Sequence, residues 1–251
     1  MSTIVLMKAF EAVPARYELG MRLITFGEID ELRREIAAEI PANAKVLDIG
    51  CGTGALLPIL VERGACVTAI DKSAEMVEQA RERAAGENIL DSVSINQNTA
   101  MEIDRLFPEN EFDAIVLSLV MSELTSDEQR WLFDQCAKIL KPDGVLLVAD
   151  EFRPEGSFKR VAFSLIRFPL HLTAYLYTQI KGLVTPNPAW KIYYVIVELP
   201  LMLISFLVGQ PLTAPLDEPR KFLPETFKVI SATEFWGGAL RLLKIQKADL
   251  G

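Results

Sequence analysis

The sequence predicts an α/β fold in which a mostly parallel sheet is covered by helices on both faces. Three observations carry this prediction. Short apolar runs of strand length alternate with amphipathic segments of helical period between residues 45 and 149. A glycine-rich turn joins the first of these runs to the helix that follows it. Near the end of the chain, two apolar or alternating segments flank Trp236-Gly237-Gly238, the pattern of a closing β-hairpin.

The elements read in order as follows. Ile29, Leu32, Ile36, Ala37 and Ile40 recur at helical spacing with Glu31, Arg33, Arg34 and Glu35 between them, which predicts an amphipathic entry helix ended before Pro41. Residues 45–49 form a short apolar strand stopped by glycines, and Leu57, Leu60 and Val61 open the next helix. The unit repeats with a strand over 66–70, after which Ser73 N-caps a helix carrying Met76, Val77, Ala80 and Ala84 on one face. A weaker strand spans 92–96, and residues 112–119 are a nearly continuous buried strand. Thr125 with Glu128 is a capping box for a helix burying Leu132, Cys136, Ile139 and Leu140. Lys141-Pro142-Asp143-Gly144 then turns the chain into a fifth strand over 145–149. Strands joined by right-handed crossovers place a ligand at their carboxyl ends.

Composition narrows the function. A formal net charge of -8 and the lack of any Lys/Arg run exclude a nucleic-acid partner. Three cysteines, Cys51, Cys66 and Cys136, contain no C-x-x-C pair, so a reducing cytoplasm is expected and a disulfide framework or zinc knuckle is not. The apolar run near Met1 has no basic segment ahead of it, and no secretory leader is expected. Between residues 161 and 216 the only charged side chains are Arg167, Lys181, Lys191 and Glu198, so something other than water is expected to face part of that stretch. Glu198 and Pro200 interrupt its longest apolar run before about 20 residues accumulate, which disfavours a spanning helix. Tyr175, Tyr177, Trp190, Tyr193 and Tyr194 beside Lys181 and Lys191 suit a peripheral membrane contact, a homodimer contact or the wall of a pocket for a greasy acceptor. A helical cap packed on the ligand edge is the plainest reading of the segment.

The chemistry is carried by Asp48-Ile49-Gly50-Cys51-Gly52-Thr53-Gly54 at the first strand-to-helix turn. Glycines there permit a tight bend and let a ligand approach bare backbone, and by themselves they suit either a dinucleotide or S-adenosylmethionine (SAM). Asp48 separates the two. A carboxylate two residues before the first glycine repels a pyrophosphate seated on this turn, whereas it favours the ammonium and sulfonium of SAM. Asp71 ends the second strand, where the ribose of either cofactor needs an acceptor for its hydroxyls. Cys51 lies in the turn with no base placed beside it by motif, so it is read as a small loop residue of the cofactor site and not a nucleophile.

This run resembles the class I SAM-dependent methyltransferases, whose first motif is matched by Asp48 to Gly54 and whose ribose-binding acid is matched by Asp71. The resemblance extends over about 45–150 and implies a Rossmann-like sheet of seven strands. It also implies SAM as cofactor, with S-adenosylhomocysteine as product. Lys72 and Met76, which follow the second acid, join the cofactor site. The family's adenine-contacting turn is matched by Asn98-Thr99-Ala100-Met101, with Thr99 where an acid is usual. Phe112-Asp113 matches the start of the family's fourth strand, and Ser118-Leu119-Val120 matches its end, beside the methyl group.

Outside that core, Leu6-Met7-Lys8, the segment from Pro14 through Tyr17 to Arg22, and Ala149 through Asp150 to Pro154 resemble the corrinoid protein-associated methyltransferases. The tyrosine segment is also similar to quinone-biosynthesis C-methyltransferases. Three readings of function follow: methyl transfer to a hydrophobic small molecule such as a lipid or quinone, transfer to a corrinoid or its carrier protein, or a non-catalytic SAM-binding module associated with membrane. No metal is required. Tyr17 and Arg22 either close over the cofactor, Arg22 meeting its carboxylate, or lie on the lid surface. Glu123, after the fourth strand, and His171, the only histidine, are the candidate bases, each weighed against a solvated acid and a packed side chain. The expected organisation is N-terminal lid helices over 1–44, a SAM-binding domain over 45–152 and 223–251, and an apolar helical insertion over 153–222.

Overall fold

The computed structural model describes residues 14–152, 223–235 and 240–248. The apolar insertion, His171 and the Trp236-Gly237-Gly238 turn therefore lie outside the described residues. Within them the chain runs α1 (Pro14–Ile24), α2 (Glu28–Glu39), β1 (Lys45–Ile49), α3 (Leu57–Glu62), β2 (Cys66–Asp71), α4 (Ala74–Gly86) and β3 (Val93–Gln97). A 3₁₀ turn (Ala100–Glu102) leads into the single-turn helix α5 (Ile103–Leu106) and then β4 (Phe112–Ser118). A second 3₁₀ turn (Met121–Glu123) precedes α6 (Ser126–Ile139), β5 (Leu140–Glu151), β6 (Phe227–Phe235) and β7 (Leu240–Lys247).

The seven strands form one sheet in the order β3-β2-β1-β4-β5-β7-β6. The first five are parallel, and β7 pairs antiparallel with both β5 and β6, which is the expected closing hairpin. Strand order reverses between β1 and its neighbours β2 and β4, so the crevice at the carboxyl end of β1 is the switch point of the sheet.

Alternation along β1 assigns its side chains to two cores. Val46 joins Ile29, Leu32, Ile36, Leu57, Leu60, Val77 and Ala80 on the face covered by α1 to α4. Leu47 and Ile49 join Ile115, Leu117, Leu132, Phe133 and Ile139 on the face covered by α6. By the same alternation Asp48 falls on the first face. Both faces of the central strands β1 and β4 are thus buried, which explains why they read as continuous apolar runs, whereas the edge strand β3 buries only Ile95 and reads weakly.

Helix boundaries follow local signals. Ser73 Oγ accepts from the Met76 N–H at 3.2 Å and caps α4 as its position in the sequence predicts. At α6 the Thr125 N–H donates to Glu128 Oε2 at 2.8 Å in a capping box. Replacing Thr125 by alanine removes one half of that exchange, and urea unfolding is expected to show a loss of about 0.5–2 kcal/mol.

Two elements differ from expectation. The segment Lys141–Gly144 is an outward excursion within β5, because Leu140 already pairs with Phe112 and pairing resumes at Val145 with Ala114. The turn chemistry of Pro142-Asp143-Gly144 thus produces a bulge inside one strand instead of a boundary between helix and strand. Beside it Asp113 ties three strands at the amino edge of the sheet, accepting from the Lys45 N–H at 2.8 Å and from Lys141 Nζ at 2.7 Å. Burial raises the Asp113 carboxyl, but Lys141 and the Lys45 N–H outweigh it and hold the group below its usual range.

The second difference is α1, a helix that periodicity did not single out. It meets α2 in a turn where Phe26 and Gly27 both take left-handed backbone, with φ of 52° and 86°. Thr25 fastens this turn: its hydroxyl donates to Met21 O at 2.7 Å and accepts from the Ile29 N–H at 3.2 Å.

Candidate cofactor site

The turn after β1 is built from its own backbone and from β2. The Gly50 and Cys51 N–H groups both donate to Ile70 O, at 2.8 and 3.1 Å, which continues the β1–β2 pairing around the bend. Gly50, Gly52 and Gly54 all have positive φ, of 75°, 54° and 71°. A side chain at Gly50 would meet Val120 Cγ2 at 2.3 Å, and one at Gly54 would meet Ala80 Cβ at 2.9 Å. At Gly52 a Cβ would meet nothing within 4 Å. The outer glycines therefore serve packing, while the middle one presents bare backbone to open space.

Asp71 closes this turn from the neighbouring strand. Its Oδ2 accepts from the Gly52 N–H at 2.9 Å and its Oδ1 from the Ser73 N–H at 2.9 Å. One carboxylate thereby holds both the glycine turn and the start of α4, at the point where β2 ends. Asp48 is buried on the other side of the turn, 2% exposed. Burial first, and the Asp71 carboxylate second, push its carboxyl from 3.8 up to about 7, with Arg33 of α2 opposing them. Burial, with Asp48 and Asp71 adding to it, also pushes the Cys51 thiol far up, so no thiolate nucleophile is available there.

The remaining walls come from the ends of β3 and β4. Thr99 caps the 3₁₀ turn that carries Ala100 and Met101, its N–H donating to Glu102 Oε2 at 2.8 Å. Ala100 and Met101 are half-buried against the core that contains Ile49, Ile70 and Ile103. Ser118 ends β4, and Leu119 follows with φ of 59° and its N–H donating to Ala149 O at 2.7 Å. A leucine in left-handed backbone costs about 1–2 kcal/mol and is held here by the tight exit from the strand. Met76, in the first turn of α4, is buried.

Two predicted residues meet across the crevice. Lys72, after β2, places Nζ 2.5 Å from Oε2 of Glu123, which follows β4. Because β1 lies between those strands, the ion pair spans the carboxyl end of β1. Glu123, one of the two candidate bases, is therefore engaged by an ammonium group.

On α1, Tyr17 is half-buried against the core. Arg22 is 60% exposed and pairs through Nε with Asp30 at 2.8 Å.

Four residues packed behind the turn and the strand ends were not assigned to the site by sequence reasoning. Glu18 and Arg33 form a two-pronged ion pair, with Arg33 nitrogens 2.7 and 3.2 Å from the two carboxylate oxygens. Thr53, 2% exposed within the glycine turn, donates its hydroxyl to Glu18 Oε1 at 2.6 Å. Asp150, fully buried at the end of β5, accepts from the Ser122 N–H at 3.2 Å and the Glu151 N–H at 2.7 Å. Burial pushes the Asp150 carboxyl up to about 6. In the sequence Asp150 enters only within a segment of family resemblance and Thr53 only as a member of the glycine turn, while Glu18 and Arg33 reach the turn through contacts distant in sequence.

A sheet with this strand order, and a glycine turn with two acids near it at the switch point, define an α/β protein of Rossmann-like type with a crevice for a nucleotide-like cofactor. Residues 46–144 match the family model of the methyltransferase domain. The chain is 33% identical over 147 residues to a phosphatidylethanolamine N-methyltransferase of Cereibacter sphaeroides, covering 57% of this chain and 70% of that one. It is 31% identical to a ubiquinone/menaquinone biosynthesis C-methyltransferase of Pectobacterium carotovorum, covering 59% of each. A phosphoethanolamine N-methyltransferase of Plasmodium falciparum matches at 33% identity over 52% of this chain, which spans 48% of that protein. Among solved structures, a SAM dependent methyltransferase from Aquifex aeolicus shares the fold at 20% identity and TM-score 0.51, covering 90% of this chain and 93% of that one. The mitomycin 7-O-methyltransferase MmcR shares it at 17% identity and TM-score 0.57, covering 96% and 60%.

The chain belongs to the class I SAM-dependent methyltransferases, and SAM is its cofactor. The quinone-biosynthesis resemblance is among these relatives, and the corrinoid-directed one gains no support from them. Among the described residues, no helix is long and apolar enough to cross a membrane.

Proposed function

We propose that this enzyme transfers a methyl group to a hydrophobic small-molecule acceptor of lipid or quinone type, which reaches the carboxyl edge of the sheet beside the glycine turn. The observation that carries this reading is the charge-poor stretch 161–216, with four charged side chains, in the segment that follows β5. The chain enters that segment from the end of β5, the same edge as Asp71 and Gly52. The names of the relatives from Cereibacter and Pectobacterium give independent support, since both refer to lipid-soluble compounds.

The residues present fit the cofactor. Gly52 leaves open space over bare backbone, the Asp71 carboxylate holds its N–H, and Asp48 is buried near Asp71. In this reading Asp71 holds the ribose hydroxyls, and Asp48 faces the cationic methionine end. Thr99, Ala100, Met101, Ser118 and Leu119 enclose the adenine and the sulfur, with Lys72 and Glu123 spanning the crevice. Tyr17 stands at the lid. SAM supplies a methyl already activated by its sulfonium. The protein's part is therefore alignment of the acceptor and exclusion of water, which can contribute several kcal/mol. A base is needed only for an acceptor that must lose a proton.

Incubation of the enzyme with methyl-labelled SAM and a total lipid extract tests the acceptor class. Label is expected in the organic phase, on a species that mass spectrometry shows to be heavier by one methyl. Label confined to water-soluble or protein fractions would contradict the proposal.

The buried Asp48 makes binding pH-dependent. In the cofactor-free protein its raised pKa means that the group contributes stability in full below about pH 4, and that this is lost as pH rises through about 7. A bound cation favours the carboxylate form, so SAM should bind more tightly as pH rises through 7 and should release a proton on binding. Titration calorimetry at pH 6 and pH 8, in two buffers of different ionisation enthalpy, measures both effects. An affinity unchanged by pH, with no proton released, would remove Asp48 from the cationic end of the site.

A further inference from the structure

We propose that Glu18 and Arg33, on the N-terminal helices, are positioning residues that hold the glycine turn, through the Thr53 hydroxyl, in the shape that accepts the methionine end of SAM. The inference rests on the proposed placement of SAM over Gly52 and adds two residues remote from the motif.

The contacts form a continuous path from the outer surface of the lid to the turn. Arg22 Nε pairs with Asp30 Oδ2 at 2.8 Å, and Asp30 Oδ1 lies 3.4 Å from Arg33. The Arg33 guanidinium grips both oxygens of Glu18, at 2.7 and 3.2 Å. Glu18 Oε1 accepts from the Thr53 hydroxyl at 2.6 Å. From the opposite side Arg83 of α4 donates through Nε to Thr53 O at 2.9 Å. Thr53 is thus held at both its side chain and its carbonyl, and it lies between Gly52, whose face is open, and Gly54, which is packed against Ala80.

Such an arrangement does more than support the fold. The Glu18 and Arg33 side chains are 19% and 12% exposed, so their pairing acts in partly desolvated surroundings, and a planar fork on a carboxylate fixes direction as well as distance. Glycines with positive φ on either side of Thr53 allow the turn several shapes, and an external brace selects one of them. Arg33 also opposes the upward push that burial and the Asp71 carboxylate exert on the buried Asp48 carboxyl, so the guanidinium that aligns the turn favours the charged form of that acid. Preorganisation of this kind should appear in cofactor affinity before it appears in folding.

The test uses the full chain with SAM and S-adenosylhomocysteine as probes, measuring Kd by calorimetry and melting temperature in parallel. Thr53→Val keeps shape and removes the donor, Glu18→Gln weakens the acceptor, and Arg33→Lys keeps charge but loses the fork. Each is expected to raise the SAM Kd about tenfold, the change that the loss of one charge-assisted hydrogen bond produces. Thr53→Val combined with Glu18→Gln should weaken binding by clearly less than the product of the two single losses, because both act on the shared Thr53–Glu18 contact. Thr53→Ser, which keeps the hydroxyl, should bind within about twofold of the unaltered protein, as a retained hydrogen bond requires.

Unchanged SAM affinity in Thr53→Val and Glu18→Gln, whatever their melting temperatures, would overturn the inference, as would losses that multiply in the double variant. If Asp71→Ala still binds SAM normally, the placement of the cofactor fails. If Asp71→Ala loses binding while the brace variants retain it, the positioning role alone fails.

Discussion

Asp71→Ala is expected to weaken SAM binding by about 1.5–3 kcal/mol, the value of hydrogen bonds to a charged acceptor. The carboxylate has two kinds of work in the structure. It accepts from the Gly52 and Ser73 N–H groups, which orders the turn and the start of α4, and it stands where the proposal places the ribose. These contributions can be separated. Asp71→Asn keeps one acceptor oxygen for a backbone N–H and loses the charge, so it should keep most of the folding stability while still losing affinity. Calorimetry with SAM, paired with urea unfolding, reads both. Wild-type affinity in a folded Asp71→Ala protein would show that β2 does not end at the ribose.

A second large effect separates the glycines of the turn from one another. Gly54→Ala places a Cβ 2.9 Å from Ala80 Cβ and 3.1 Å from Ala80 Cα, on a residue with φ of 71°. Overpacking and backbone strain together should cost about 2–4 kcal/mol of stability. Gly52→Ala meets no atom and pays only for its φ of 54°, about 1–2 kcal/mol. Its methyl group occupies the space proposed for the methionine moiety, so SAM affinity should fall more than tenfold, as when a well-fitted contact is lost. Gly54→Ala should therefore lower the unfolding midpoint more, and Gly52→Ala the affinity more. The reverse order would mean that the open face of the turn is not where the cofactor rests.

Much of this architecture was legible in the sequence because the signals are local. Four of the five parallel strands carry apolar runs, Ser73 caps α4 in the expected register, and Thr125 and Glu128 exchange hydrogen bonds as their spacing requires. The acids and glycines of the turn are legible for the same reason: their spacing places them at the carboxyl ends of β1 and β2.

What escaped is non-local or conformational. Gly20 falls inside α1 and weakens its helical signal, although the helix runs unbroken through it and the glycine is buried in the finished fold. The bonds that make Glu18 matter reach Arg33, 15 residues away, and Thr53, 35 residues away, distances that no periodicity links. The pairing of Lys72 with Glu123 depends on β1 lying between β2 and β4, a property of strand order and not of either residue. The left-handed backbone of Leu119 has no signature in a leucine. Turn residues at Lys141–Gly144 announced a break, but the pairing of Leu140 with Phe112 absorbs it within β5.

The central claim is that two carboxylates and an uncovered backbone bend make this crevice a receptor for a cationic sulfur compound. Titration calorimetry of the whole protein with SAM, S-adenosylhomocysteine and NADH, each under the same low-salt conditions at pH 8, addresses it most directly. The account predicts heat with the first two, tighter binding of the positively charged donor, and no saturable signal with the dinucleotide. Saturable heat with NADH and none with SAM or S-adenosylhomocysteine would contradict it.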